Sequence, residues 1–222
     1  MIDFEIRLTQ DGSHTIFAPE VNESYHSQFG AISESRHIFI NAALRPVLAK
    51  KNNISILEVG FGTGLNALLT LKTLEEEKIF CNYTAFETNP LSKSVITSLN
   101  YPGILEIVTN TFITLACEGW GKTIALNPQF NIHKINGSII SSSLPEEEFD
   151  IVYFDAFSPD ALPELWTFEI FSKVFVAMKY EGILTTFSSK GIVKRAMQTA
   201  GFSVEKLQGP HGKREILRAI KK

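Results

Sequence analysis

The stretch Ile54-Ser55-Ile56-Leu57-Glu58-Val59-Gly60-Phe61-Gly62-Thr63-Gly64-Leu65-Asn66 decides the fold. Residues 54–58 read as a short buried strand. Three alternating glycines follow, and a helix is predicted over residues 65–76. Glycine lets a backbone turn sharply and approach a ligand closely. The helix start then leaves unpaired N–H groups beside that ligand. A dinucleotide loop needs G-x-G-x-x-G, whose third glycine packs the helix beneath a pyrophosphate. Here the spacing is G-x-G-x-G, and Leu65 stands where that third glycine belongs. No Gly-Lys-Ser/Thr stands in this loop for a triphosphate.

Two acids complete the pattern. Glu58 ends the first strand, and Glu87 ends the second, 23 residues after Gly64. A carboxylate at that second place can accept hydrogen bonds from two ribose hydroxyls. S-adenosylmethionine has no phosphate and needs close backbone approach, a counter-charge for its amino group and a ribose partner. The combination therefore suits S-adenosylmethionine better than a nicotinamide nucleotide or a purely structural turn.

Working outward, strands and helices alternate. Strands are predicted at residues 83–87, 130–135, 149–155 and 182–187. Helices are predicted from Asn89-Pro90 to about Leu99, over 104–118, from Leu162-Pro163-Glu164 to about Met178, and over 190–200. Asn89 would cap its helix and Pro90 would take the first position. The strand at 149–155 is a near-continuous apolar run, as interior parallel strands are. The expectation is a Rossmann-like α/β fold, a doubly wound, mostly parallel sheet. Residues 202–207 and 214–220, joined by Gly209-Pro210-His211-Gly212, predict an antiparallel C-terminal hairpin. Residues 4–9 and 14–18 around Asp11-Gly12 predict a small N-terminal hairpin. A helix over 33–50 should kink or divide at Pro46. The expected division is residues 1–50 as an N-terminal extension and 51–222 as the main domain.

The 222 residues suit one large domain with a small appendage, and the 44% apolar content supplies a core. No apolar run approaches the ~18 to 20 residues of a membrane span. Met1-Ile2-Asp3-Phe4-Glu5 carries no basic leader, so a cytoplasmic protein without a membrane partner is expected. Cys81 and Cys117 fit a reducing compartment, and the five scattered histidines give no metal-ligand spacing. Net charge is −3, but residues 190–222 hold nine Lys or Arg and two acids, leaving that tail at +7 and the rest at −10. Such a basic end can face a polyanion or can be ordinary solvated surface.

Asp155-Ala156-Phe157-Ser158-Pro159 follows the apolar strand. Ligands of open α/β sheets bind outside the carboxyl ends of strands, so Asp155 should face the reactive end of the cofactor. The plainer alternative makes Asp155 a cap and Phe157 core.

These residues carry a resemblance. Residues 57–66, Phe86-Glu87 and Phe154-Asp155-Ala156-Phe157-Ser158-Pro159 resemble the methyltransferase domain of the MnmC family. So do Leu162-Pro163-Glu164-Leu165-Trp166, Thr186-Phe187-Ser188-Ser189-Lys190-Gly191 and Gly212-Lys213-Arg214-Glu215. Upstream, Tyr25-His26-Ser27, Gly30-Ala31 and residues 34–40 fit as well. The resemblance implies a class I S-adenosylmethionine-dependent methyltransferase. It would N-methylate the 5-aminomethyl group of the (often 2-thiolated) wobble uridine of tRNA. The family's flavin oxidase sequence is absent, so a separate enzyme would supply the aminomethyl group, with neither flavin nor metal bound here.

The expected cofactor residues are Glu58, Gly60, Phe61, Gly62, Thr63, Gly64, Asn66, Glu87, Thr88, Asn136, Gly137, Asp155 and Phe157. Asp155 is the expected catalytic residue. Tyr25, His26, Phe157 and Trp166 would wall or stack the base, Ser158 and Pro159 would line the tRNA side, and Lys190, Lys194, Arg195, Lys213 and Arg214 would meet the phosphates of the anticodon region. One departure stands out. The family shows Gly-Asp-Ala where this chain has Asn136-Gly137-Ser138. If that acid contacts adenine, Asn136 or Ser138 must substitute for it. At its reference pKa of ~3.9, Asp155 would orient an amine better than deprotonate it. Two other readings remain open: an aminopropyltransferase, disfavoured because only Asp155 and Asp160 supply acids in that segment, and a non-catalytic cofactor- or RNA-binding module.

Overall fold

The computed structural model describes residues 4–75, 77 and 79–222. Met1-Ile2-Asp3 and the predicted helix end at Glu76 lie outside the described residues. The chain begins with β1 (Glu5–Leu8), β2 (His14–Ala18) and β3 (Glu23–Ser24), a separate antiparallel sheet. A continuous helical stretch follows: α1 (Ala31–Ser35), a wide π-helical segment (Arg36–Leu44) and α2 (Arg45–Leu48). Then come β4 (Asn53–Val59), α3 (Leu65–Leu74), β5 (Phe80–Glu87), α4 (Lys93–Thr97), α5 (Tyr101–Leu105) and α6 (Thr109–Cys117). The chain continues through β6 (Thr123–Asn127), β7 (Phe130–Asn136), β8 (Phe149–Phe154), a 3₁₀ turn (Pro163–Trp166) and α7 (Phe168–Ala177). It closes with β9 (Met178–Thr186), α8 (Gly191–Thr199), β10 (Ser203–Gln208) and β11 (Glu215–Ile220).

The main sheet runs β10-β11-β9-β8-β4-β5-β7-β6. Its five central strands, β9-β8-β4-β5-β7, are parallel, while β11, β10 and β6 pair antiparallel at the two edges. This is the expected Rossmann-like, doubly wound α/β architecture. Side chains alternate between two cores. Ile54, Ile56, Tyr83, Ile151 and Tyr153 meet α3, α6 and the long first helix on one face. Leu57, Val59, Val152, Phe154 and Leu184 meet α7 and α8 on the other. Each fully buried aliphatic side chain contributes about 1.5–3 kcal/mol, which is why these strands read as apolar runs.

Four local expectations are corrected. Pro46 does not divide the helix. The backbone N–H of Arg45 reaches the carbonyl of Ile40, a register wider than the α-helical one. The carbonyl of Ala42, four residues before Pro46, instead accepts from the Arg218 guanidinium at 3.3 Å. A proline's missing donor and its clash with the preceding turn are thereby absorbed without a break. The helix predicted at Asn89-Pro90 starts later, with the Ser92 side chain capping α4. The helix predicted over 104–118 is two, because Glu106 takes a left-handed conformation that ends α5. Thr167 caps α7, and the preceding turn is 3₁₀. The edge strand β6 and the short β3 escaped the sequence reading.

At the opposite end of the sheet from the glycine loop, Asp150 on β8 pins three elements. Its carboxylate accepts from Lys51 (2.5 Å), Lys179 on β9 (2.9 Å) and the Ser55 amide on β4 (2.8 Å). Burial raises its pKa, but the Lys51 bond, the Ser55 amide and Lys179 outweigh that, and the net shift is downward. Asp150→Ala leaves the Ser55 N–H without its partner, so we expect a loss of about 1–3 kcal/mol in urea unfolding. An unchanged midpoint would show that the junction is not under load.

Candidate active site

Where β4 ends, Gly60, Gly62 and Gly64 all take positive φ (89°, 50° and 77°), a region that strains any side chain. The Gly60 and Phe61 amides both donate to the Phe86 carbonyl, at 3.0 and 3.1 Å. The Gly62 amide donates to Glu87 Oε2 at 2.9 Å, and Asn89 donates to Oε1 at 2.8 Å. Crowding explains two of the glycines. A Cβ on Gly60 would lie 2.5 Å from the Asp155 carbonyl oxygen, and one on Gly62 would lie 2.9 Å from the Tyr25 ring.

Strand order reverses between β4 and β8, and their carboxyl ends deliver the glycine loop and Asp155 side by side. A cavity of about 490 Å³ opens there, within the range of small-molecule sites. One half is walled by Gly60–Thr63, Phe86–Asn89 and Gly137–Ile139. The other is walled by Glu20, Val21, residues 23–28, Glu34, Asp155–Ser158, Leu162, Leu165, Phe187 and Lys213.

Asp155 is recessed in the wall where the halves meet. Its Oδ2 accepts from Asn66 Nδ2 at 2.8 Å. Removal from bulk water dominates its titration. The Asn66 bond and Lys213 pull the pKa down and Glu34 pushes it up, and the carboxyl ends at about 8. The fold thus holds Asp155 far above its reference value, nearer to neutral solution.

The N-terminal extension closes the cavity. The Tyr25 ring meets Phe157 edge to face at 5.1 Å. Ser158 donates to the Glu23 carboxylate through its amide (3.0 Å) and its hydroxyl. His26 Nε2 lies 2.9 Å from the Thr63 hydroxyl. Burial lowers the His26 pKa to about 4, so the ring is neutral at pH 7. Glu34 accepts from the Ser27 amide (2.8 Å) and pairs with Lys213 at 2.7 Å.

The cavity wall contains many of the expected residues: Gly60, Phe61, Gly62, Thr63, Glu87, Thr88, Gly137, Asp155, Phe157, Tyr25, His26, Ser158 and Lys213. Others are placed elsewhere. Glu58 is wholly buried beneath the loop, bonded to Asn66 (2.9 Å) and Tyr83 (2.9 Å), so it cannot counter an amino group in the cavity. Asn66 is 2% exposed and lies below the wall, and Gly64 also stands behind it. Asn136 ends β7 facing solvent, while Ser138 lines the cavity and is the better placed substitute for the missing acid. Trp166 is core. It packs on Phe154 and Phe171 and donates to the Phe157 carbonyl at 3.0 Å, and Leu162 and Leu165 take its expected place.

Pro159, Lys190 and Arg214 line a shallower groove that shares Ser158, Phe187 and Lys213 with the main cavity. The basic tail is partly neutralised: Lys190 pairs with Asp160, Lys206 with Glu215, Lys213 with Glu34, and Arg218 with Glu205. Among the described residues, Lys194, Arg195 and Arg214 make no ion pair. Sequence reasoning missed Glu20, Glu23 and Glu34 as cavity acids. Glu34 opens the stretch 34–40, but nothing in its spacing announces a position near Asp155. Among the described residues, no cluster of three candidate ligands could hold a metal, and no helix is long and apolar enough to cross a membrane.

A glycine-walled cavity at the switch point of a mostly parallel α/β sheet suits an S-adenosyl-L-methionine-dependent methyltransferase, and a family described in those words matches residues 122–222. More particularly, the chain is similar along nearly its whole length to proteins named MnmC. It is 26% identical to the tRNA 5-methylaminomethyl-2-thiouridine biosynthesis bifunctional protein MnmC of Burkholderia multivorans, over 98% of this chain and 35% of that protein. Against the Pseudoalteromonas atlantica protein of the same name the identity is 28%, over 97% and 33%. The chain thus spans about a third of the length of these curated relatives. The crystal structure of MnmC2 from Aquifex aeolicus superposes with a TM-score of 0.79 at 28% identity, over 99% of this chain and 70% of that one. Spermidine synthase from Thermotoga maritima shares the fold, with a TM-score of 0.57 at 15% identity over 100% of this chain and 72% of that one.

Asp155 makes stability depend on pH. Its folded pKa is raised, so the stability it contributes is full below the unfolded value of 3.8 and is lost as pH rises through about 8. Asp155→Asn removes that loss. The variant's unfolding free energy, read from urea unfolding, should exceed the wild type's by a margin that widens from pH 5 to pH 9, reaching on the order of 5 kcal/mol at most. Parallel stability curves would contradict it.

Proposed function

We propose that this chain N-methylates the 5-aminomethyl group of wobble (2-thio)uridine in tRNA, giving 5-methylaminomethyl-(2-thio)uridine. The observation that carries this reading is the desolvated Asp155 carboxyl between a glycine-walled and an acid- and aromatic-walled half of one cavity. The relatives' names point to the same product.

The glycine backbone, Glu87 and Ser138 would hold the adenosyl part, and the tight approach at Gly60 and Gly62 fits a ligand laid against bare backbone. When bound, S-adenosylmethionine supplies a sulfonium methyl, which passes to the amine nitrogen and leaves S-adenosylhomocysteine. The remaining work falls to the chain. A primary amine with a reference pKa of ~10.4 arrives as a cation and cannot attack. Asp155, at about 8, takes its proton across a modest gap and holds the freed lone pair toward the methyl. The proton then leaves to water. The base must be splayed from the anticodon stack to enter, with Tyr25, Phe157, Leu162 and Phe187 as its walls. Lys194, Arg195 and Arg214 are the cations free for phosphates. Lys190 and Lys213 reach them only by leaving Asp160 and Glu34. A separate enzyme supplies the aminomethyl group, and tRNA maturation sets the reaction in the cytoplasm.

One observation favours a second reading. Glu20, Glu23 and Glu34 give the substrate half the acids that Asp155 and Asp160 alone did not, and these would also suit a polyamine. The cofactor separates the two readings. S-adenosylmethionine should raise the melting temperature, and its decarboxylated form should not. With aminomethylated tRNA, Asp155→Ala should lower kcat by about 10² or more while S-adenosylhomocysteine affinity holds. Turnover of a polyamine instead of tRNA would overturn the proposal. Equal loss of binding and rate in the variant would make Asp155 a cofactor ligand.

A further inference from the structure

Beneath the glycine loop lie a buried acid and a buried amide that the chemistry above leaves unused. Glu58, next to last in β4, has no exposure, and Asn66 sits in the first turn of α3 at 2% exposure. The single NH₂ of Asn66 reaches two carboxyls, Glu58 Oε1 at 2.9 Å and Asp155 Oδ2 at 2.8 Å. Tyr83 on β5 donates to the other oxygen of Glu58 at 2.9 Å. The Asn66 Oδ1 is buried without a hydrogen-bond partner among the described residues.

A buried carbonyl left unpaired destabilises a fold, so packing does not account for an amide here. Its orientation makes sense only for its two donors. Nor can it touch a ligand, because it lies outside the cavity wall. Of the two Asp155 oxygens, Oδ2 is occupied by Asn66, and nothing among the described residues bonds Oδ1.

We propose that Asn66 is the positioning residue for Asp155, held in turn by Glu58 and Tyr83, so that a line of side chains from β5 presents one free carboxylate oxygen, Oδ1, to the substrate amine. The assignment rests on the proposed role of Asp155 and extends it. It moves Asn66 and Glu58 from cofactor contacts to supports of the reacting group. Rigid support of this kind is what orientation-dependent chemistry needs from the shell behind the reacting side chain.

The test is a pair of variants, Asn66→Ala and Asn66→Ser, in the full chain. The groups that bear on Asp155 are Glu58 on β4, Glu34 on α1, Lys213 in the β10–β11 turn, His26 before α1 and Glu87 at the end of β5. All of them stay in place in both variants. Loss of the donor withdraws a bond that favours the ionised carboxylate. The Asp155 titration, followed by ¹³C NMR of its carboxyl, should therefore move up by about one unit in Asn66→Ala, and kcat at pH 7 should fall about tenfold. Asn66→Ser keeps a hydroxyl donor and should recover part of both. S-adenosylhomocysteine affinity should hold in each. An unmoved Asp155 titration would overturn the proposal, as would equal loss of cofactor affinity and rate. If Asn66→Ala does not fold, Asn66→Ser is compared with wild type by the same readouts. The NMR titration needs no turnover. A wild type inactive on aminomethylated tRNA would sink the functional reading while the titration still decides the part played by Asn66.

Discussion

The backbone at Gly60 touches the backbone at Asp155, and the site depends on that contact. One loop leaves β4 and the other leaves β8, neighbours at the point where the sheet reverses its strand order. The Asp155 amide extends the pairing by donating to the Val59 carbonyl at 2.9 Å. With no room for a Cβ at Gly60, the loops close to van der Waals distance, and the glycine floor and the acid share one cavity. Any side chain there would part them and separate cofactor from carboxylate.

Closeness alone would leave an ordinary aspartate. Desolvation holds its carboxyl up at about 8, and the N-terminal residues help to wall it in. Tyr25 leans on Phe157 and Gly62, His26 holds Thr63, and Glu23 holds Ser158. The extension also shares the core, since Ile16 and the long first helix pack among the residues of β4 and β8. Residues 4–50 are thus a wall of the site as much as an appendage. The cost falls on stability: two raised carboxyls, Asp155 and Glu58, sit close together, and each ionises against the burial that the fold requires.

Electrostatics divides the surface by depth. Inside, Glu20, Glu23, Glu34, Glu87 and Asp155 face a single lysine, Lys213. Outside, unpaired Arg214 lines the adjoining groove, and unpaired Lys194 and Arg195 stand on α8. A cationic group carried on a polyanion would be drawn by both regions at once, its phosphates by the outer cations and its amine by the interior.

Much of this was legible in the chain. The glycine spacing, the apolar run before Asp155 and the βα alternation fix the class of fold, because period and turn chemistry are local properties. The same reading placed Gly60, Gly62, Glu87, Asp155 and Phe157 near one another, because each ends or follows a strand at the same edge of the sheet. What the chain could not declare is set by neighbours distant in sequence. Glu58 looked like a ligand because it ends a strand. Only the sheet's alternation shows that it faces the core under α3. Trp166 looked like a wall, and its burial against Phe154 and Phe171 made it a prop for the Phe157 carbonyl. The cavity acids of the extension and the raised Asp155 carboxyl exist only after folding, since desolvation and through-space charge depend on distance in three dimensions and not on position along the chain.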